Sequence, residues 1–251
     1  MNSKKQSVAV ITGGNSGIGR SIAEAFVHQG SQVVIVGRNQ ETLAATSEAL
    51  GSDTVWYQGD VSKSSEVATF VEKIVQKFPK IDVLINAAGF MHTITTTMPL
   101  SEAENLWDEV LNVNLKGSFL TSVAIAPYLA RPGGRIINIS SIGSFTGGSR
   151  AGGLAYASSK AGVNGLTYAL ARELSSQGIT VNAIAPGFIQ NTGFTGAWPE
   201  QIVQDIVKQI PVGRAGETSD IADTVLFLSS PKASFITGEI LNVNGGWLFG
   251  R

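Results

Sequence analysis

Short continuous apolar runs recur along the chain, and most are followed by a segment whose apolar positions fall three and four apart. The first run is Val8-Ala9-Val10-Ile11. A run this short that is apolar on both alternating faces fits a strand covered on both sides. Further runs of the same kind fall at 32–37, 55–58, 83–85, 135–139, 180–185 and 240–243. Helical spacing follows from about 20 to Gly30, with Ile22, Ala23, Phe26 and Val27 on one face. Asn39 is placed to cap a helix ending at Leu50, and 64–78 carries Val67, Phe70, Val71, Ile74 and Val75 on one stripe before Pro79. A long helical region covers 101–129, broken near 112–114, and another carries Tyr156 as far as about Leu174. A shorter helix fits about 199–210. Strands alternating with helices predict βαβ units and a parallel sheet covered on both faces. The expected fold class is α/β: one doubly wound, Rossmann-type domain over 1–251 with a seven-stranded parallel sheet.

Ligands in such folds bind at the carboxyl ends of the strands. The loop after the first strand reads Thr12-Gly13-Gly14-Asn15-Ser16-Gly17-Ile18-Gly19. Gly13, Gly17 and Gly19 let the backbone turn tightly and approach a pyrophosphate, which the N-terminus of the next helix attracts. The spacing is not G-x-G-x-x-G, and a tight turn without a ligand is the plain alternative. After the second strand, Gly37 stands where a carboxylate would bond the ribose 2′-hydroxyl of NAD. Arg38 follows, and a guanidinium suits the 2′-phosphate of NADP. NADP(H) is therefore the preferred cofactor, with NAD(H) possible.

Composition narrows the chemistry. The 251 residues contain no cysteine and only two histidines, His28 and His92, so neither disulfides, thiolate sites nor a histidine metal centre is expected. The formal net charge of -1 and the absence of a basic run point away from nucleic acid and anionic membrane. No apolar run reaches membrane-spanning length, and Met1 to Ser7 is polar, so a cytoplasmic protein is expected. What remains is acid–base work by other side chains. Tyr156 and Lys160 are four apart on a predicted helix and point to one place. An ammonium beside a phenol favours the phenolate, which makes the pair a candidate acid–base device.

Taken in order, these segments resemble the short-chain dehydrogenase/reductase family over nearly the whole chain. The glycine loop, with Gly13, Asn15, Ser16, Gly17, Ile18 and Gly19, is similar to the family's cofactor motif. Asp60-Val61 resembles its adenine-contact pair, and Asn86-Ala87-Ala88-Gly89 the motif after the fourth strand. Asn114 matches the helix asparagine, Ser141 the serine, Tyr156 and Lys160 the YxxxK pair, and Pro186-Gly187 the loop after the sixth strand. The resemblance implies direct hydride transfer between cofactor and substrate carbon, interconverting a ketone and a secondary alcohol without a metal. It implies Tyr156 as acid or base, Ser141 on the substrate oxygen, and Lys160 on the nicotinamide ribose. Asn114 would hold a relay water. Cofactor contacts would come from the glycine loop, Arg38, Asn39, Asp60, Val61, Asn86, Ala87, Gly89, Tyr156, Lys160, Pro186, Gly187, Ile189 and Thr192.

Two places depart from the family pattern. The glycine-rich stretch 142–155 is about two residues longer than usual, so Ser144 stands in reserve to Ser141. The loop Phe188-Ile189-Gln190-Asn191-Thr192 sets its threonine one position late, leaving either Thr192 or Asn191 to reach the nicotinamide. A substrate lid is expected over about 188–212, where Phe188, Phe194 and Trp198 either line the pocket or pack the lid down. Met91, His92 and Phe145 are candidates for the same pocket. Val243-Asn244-Gly245-Gly246 extends the similarity to 3-oxoacyl-carrier-protein reductases, although no Lys/Arg cluster marks a carrier-docking site. The partners implied are a small carbonyl or alcohol substrate and further copies of the chain in a homotetramer, with Trp247-Leu248-Phe249 at a subunit contact. The competing readings are an NAD-preferring alcohol or sugar dehydrogenase, a dehydratase or epimerase, and a dinucleotide-binding sensor without catalysis.

Overall fold

The structure is a computed structural model that describes residues 6–196 and 198–250. Most of the polar N-terminal stretch singled out above, residues 1–5, lies outside the described residues. Among those described, β1 (Val8–Thr12), β2 (Gln32–Gly37), β3 (Thr54–Gln58), β4 (Val83–Asn86), β5 (Arg135–Ile139), β6 (Thr180–Pro186) and β7 (Ile240–Val243) form one parallel sheet. Its order is β3-β2-β1-β4-β5-β6-β7. Side chains alternate across each strand, so neighbouring residues enter opposite cores. Val10, Val34, Leu84, Ile136 and Val181 face one layer, formed by α3 (Ser64–Lys77), α5 (Gly117–Ile125) and α7 (Leu154–Leu174). Ile11, Ile35, Ile85 and Ile137 face the other, against α1 (Gly17–His28), α2 (Gln40–Leu50) and α9 (Thr218–Ser229). Side chains such as Phe70, Ile22 and Ile74 are fully buried, each contributing about 2 kcal/mol. This is the doubly wound α/β fold expected.

The strand order reverses direction between β1 and β4, which opens a crevice above their carboxyl ends. The glycine loop and Asn86 to Gly89 lie at these two ends, Asp60, Ser141 and Gly187 follow other strands, and Asn114, Tyr156 and Lys160 lie on helical segments. The predicted break in the long helical region is a π turn, Asn112–Lys116, between α4 (Leu100–Leu111) and α5. The stretch after β5 contains a short helix, α6 (Gly143–Thr146). The lid helix α8 is Glu200–Val207, shorter than the predicted 199–210.

The helix α9 has no counterpart among the elements read from the sequence. Glu217 and Asp220 cap it reciprocally, and Ile221, Ala222, Val225 and Leu228 bury its inner face. Arg214 grips Asp220 at 2.7 and 2.8 Å. The Arg214 hydrogen bonds hold the Asp220 carboxyl down at about 2, although partial burial opposes them. The pair fixes the chain around Gly216, whose backbone bonds Phe188 and Gln190 at the root of the lid.

Candidate active site

The glycine loop closes around its own backbone. Gly13 and Gly17 have φ of +70° and +48°, which a side chain disfavours. A Cβ on Gly13 would lie 2.9 Å from Ala88 Cα, and one on Gly19 would strike the Gly13 carbonyl. The loop therefore packs directly under the Ala87-Ala88 turn, whose two N–H groups donate to Thr12 Oγ1 at 3.2 Å. Ser16 begins α1 without a side-chain cap, so its hydroxyl leaves the first N–H groups of the helix free. A bare helix start above a close-packed glycine turn fits a dinucleotide pyrophosphate.

The second strand leads to Gly37, where a Cβ would lie 2.8 Å from Asn15 Oδ1. Asn15 donates to Thr42 Oγ1 at 2.7 Å, and Asn39 accepts from Thr42 N at 2.9 Å to cap α2. Asn15 thus ties the glycine loop to the first turn of α2 that Asn39 caps. Arg38 is exposed, with its guanidinium 5.8 Å from the Phe90 ring centre and no ion-pair partner among the described residues. Asp60 accepts from Ser62 N and Oγ at 2.9 and 2.7 Å. Burial pushes its pKa up, but the Ser62 bonds and the charges of Arg38 and Lys63 together hold it below the ordinary value.

Three side chains assigned to cofactor contact by the sequence are turned into the core. Asn86 is buried and donates to Asn138 Oδ1 at 2.8 Å and Ser122 Oγ at 2.9 Å, while accepting from Thr121 at 2.7 Å. Val61 is buried against Gly117, and Ile189 joins the core beside α9. These side chains set the backbone of three strand-end loops. Asn114 likewise has its amide engaged. It donates to Phe90 O at 2.9 Å and Ser159 Oγ at 3.1 Å and accepts from Phe90 N at 3.0 Å. The π turn aims it there, clamping the loop after Gly89 onto α7. Its side chain is a clamp between that loop and the helix.

Tyr156 and Lys160 sit on the first turns of α7. The Lys160 ammonium is buried, donates to Ile139 O at 2.7 Å, and lies 5.7 Å from the Tyr156 ring centre. Burial lowers its pKa to about 8. Burial also raises the Tyr156 phenol, and the Ser141 hydroxyl pulls it only partly back. That shift runs opposite to the one the Lys160 ammonium was expected to favour. Gly89 passes close to both partners, since a Cβ there would lie 3.1 Å from Asn114 Oδ1 and 3.4 Å from Lys160 Nζ.

The choice between serines follows from their bonds. Ser141 Oγ accepts from Gly143 N at 3.0 Å and faces Tyr156. Ser144 is turned back, donating to Ser141 O at 2.6 Å and accepting from Asn164 Nδ2 at 2.9 Å. Ser140 points into α7, bonding Asn164 Oδ1 at 2.6 Å. Ser141→Ala is expected to lower kcat by about a hundredfold, the lower range for loss of a polar group at the reacting atoms, and Ser144→Ala by less than about threefold. Initial rates on the two variants decide between them.

The loop after β6 shows where the second departure falls. Asn191 adopts φ +57° and is exposed, absorbing the extra residue, and Thr192 returns to a buried position 3.7 Å from a Cβ placed on Gly17. Thr192 is thus the residue that faces the cofactor loop. The aromatic residues divide. Phe188 and Trp198 pack the lid to the body with rings 5.5 Å apart, whereas Phe194 faces Tyr156 at 5.7 Å. His92 is held by Glu109 at 2.9 Å, and Phe145 packs with Ile142 and Trp247. Trp247 and Leu248 pack onto their own chain, which leaves Phe249 exposed. Thr12, Phe90, Asn138, Ser159 and Asn164 hold the site together without having been singled out by a role. Among the described residues no group of three or more His, Cys, Asp or Glu is placed to hold a metal ion, and no helix is long and apolar enough to cross a membrane.

Comparison with known proteins agrees with this geometry. A family profile described as "Enoyl-(Acyl carrier protein) reductase" matches residues 13–248. The 3-oxoacyl-[acyl-carrier-protein] reductase of Staphylococcus aureus is 41% identical over 243 residues, covering 95% of this chain and 96% of that protein. Its counterpart from Thermotoga maritima is 37% identical over 243 residues, with the same coverage. Among solved structures, a short-chain glucose/ribitol dehydrogenase from Brucella melitensis superposes with a TM-score of 0.90 at 30% identity, covering 97% of each chain. A glycine turn under a bare helix start, and a tyrosine, lysine and serine gathered above the sheet, accompany similarity along the whole length, and the chain belongs to the short-chain dehydrogenase/reductase family of oxidoreductases, resembling its 3-oxoacyl-carrier-protein reductases.

Proposed function

We propose that the protein is an NADPH-dependent reductase that converts a 3-oxoacyl thioester or a related ketone to the secondary alcohol. The observation that carries this reading is the Tyr156 phenol facing Ser141 with the Lys160 ammonium 5.7 Å from its ring centre, because reduction of a carbonyl needs an acid at its oxygen. The relatives named for 3-oxoacyl reduction support the substrate class. Gly13, Gly17, Gly19 and the start of α1 would hold the dinucleotide pyrophosphate, with Thr192 beside Gly17 reaching toward the nicotinamide. Lys160 and the loop of Ala87 to Gly89 would hold the nicotinamide end. When bound, the cofactor supplies the hydride. Ser141 then donates a hydrogen bond to the substrate oxygen, and Tyr156 gives that oxygen its proton. Lys160, charged below about 8, stabilises the tyrosinate that is left. The gathering of Asn114, Ser141, Tyr156 and Lys160 favours an enzyme over a sensor that only binds a dinucleotide.

The preference for NADPH rests on Arg38, which lies beside the Asn39 cap without an ion-pair partner among the described residues. Arg38→Ser is expected to lower kcat/KM for NADPH about tenfold while changing that for NADH little. Equal losses with the two cofactors would overturn the assignment. A cytoplasmic homotetramer is part of the same proposal. Phe119 and Val123 on α5 and Leu154 and Tyr168 on α7 are exposed, as are Phe235 and Phe249 near β7. Light scattering at micromolar concentration should give the mass of four chains, and a monomer mass would refute it.

A further inference from the structure

The loop that runs from Ser141 to Tyr156 carries one cation, Arg150, and the lid carries Trp198. The Arg150 guanidinium lies 4.3 Å above the centre of the Trp198 ring. This is the shortest such approach of a cation to a ring among the described residues. Arg150 is exposed, and no side-chain hydrogen bond or ion pair engages it there. The acidic residue that follows in the lid, Glu200, is bonded by Gln204 at 3.1 Å.

The Trp198 ring engages the guanidinium through a cation–π contact and restrains its position. The N–H groups at its edge remain free, in the fork geometry that matches a carboxylate or phosphate. Its place is the mouth of the active site. On one side Trp198 packs on Phe188 at 5.5 Å, and four residues earlier Phe194 faces the Tyr156 ring. On the other, Gly152 O accepts from Ile94 N at 2.9 Å, and a Cβ on Gly152 would lie 2.7 Å from Thr93 Cγ2, which holds the loop in position.

We propose that Arg150 is a specificity-determining residue, an oxyanion receptor at the mouth that selects substrates bearing a carboxylate or phosphate remote from the reacting ketone. This rests on the carbonyl-reductase reading of the site and adds the chemical class of substrate. A planar cation held on an aromatic face loses little freedom on binding an anion, which favours affinity. The effect falls in KM, because the anion is bound equally before and during the reaction.

The test uses three thioesters of equal length: one ending in a phosphate, one in a carboxylate and one neutral. Each is assayed with wild type, Arg150→Ala and Arg150→Lys. Calorimetric binding of the corresponding alcohols to the protein–NADP+ complex is measured alongside. Wild type should favour at least one anionic member about tenfold over the neutral one in kcat/KM and in affinity. In Arg150→Ala this ratio should collapse toward one through KM, and Arg150→Lys should retain part of it. Whichever anion shows the preference identifies the source. A wild-type ratio near one, or a ratio unchanged by Arg150→Ala, would overturn the proposal. The calorimetric ratio decides even if no thioester is reduced, an outcome that would instead refute the carbonyl-reductase reading.

Discussion

Tyr156→Phe is expected to lower kcat by about a thousandfold, within the usual range for removing a general acid. The variant keeps the ring, its tilted contact with Phe194 and its place on α7, and loses only the hydroxyl that faces Ser141. Cofactor affinity should change by less than about threefold. The loss should appear equally in kcat and kcat/KM, since the proton is given only as the oxygen gains charge. Fluorescence titration with NADPH separates binding from turnover. A variant that retained wild-type turnover would remove Tyr156 from the chemistry.

Gly19→Ala is the second large effect. The added Cβ would strike the Gly13 carbonyl, which is backbone in a turn already closed against Ala88. Nothing flexible gives way there, so the loop must open. The N–H groups at the start of α1 then lose their geometry, and NADPH affinity should fall about a hundredfold, the equivalent of one or two charge-assisted hydrogen bonds. Forcing a methyl into a packed turn also costs about 2 kcal/mol, enough to lower Tm by roughly 5 °C. Titration and melting curves read the two effects independently. Unchanged affinity would mean that this loop does not hold the cofactor.

Much of the fold was legible because a parallel strand covered on both faces must be apolar throughout. That requirement marked each strand from Val8 to Val243 to within a few residues. The missed helix α9 had a helical stripe in Ile221, Ala222, Val225 and Leu228 and an acidic residue at each capping position. Its signal was local and present, although no recognised motif drew attention to it. The polar interior was different. Asn86 reads identically whether its amide faces a ligand or Asn138, Ser122 and Thr121. Those partners lie 52, 36 and 35 residues away, and only the folded sheet brings them together. The same limit applied to Asn114, whose break in the helix was visible while its grip on Phe90 was not.

The Tyr156–Lys160 pair shows what spacing alone leaves open. Four residues place Lys160 on the same face, but the fold turns its ammonium to the Ile139 carbonyl, and burial shifts both groups toward their neutral forms. The place of Ser144 was equally hidden, since it is held by Asn164, a residue on the next helix that sequence gives no reason to connect with it.

The most direct test of the account is to follow the label when NADPH carrying deuterium at the transferable position of C4 is incubated with a 3-oxoacyl thioester and the protein. Deuterium should appear on the carbinol carbon of the product, with one stereochemistry, and Tyr156→Phe should suppress its formation. A product whose deuterium is absent or exchanged with solvent would contradict direct transfer, and no consumption of NADPH with any ketone would contradict the reductase assignment itself.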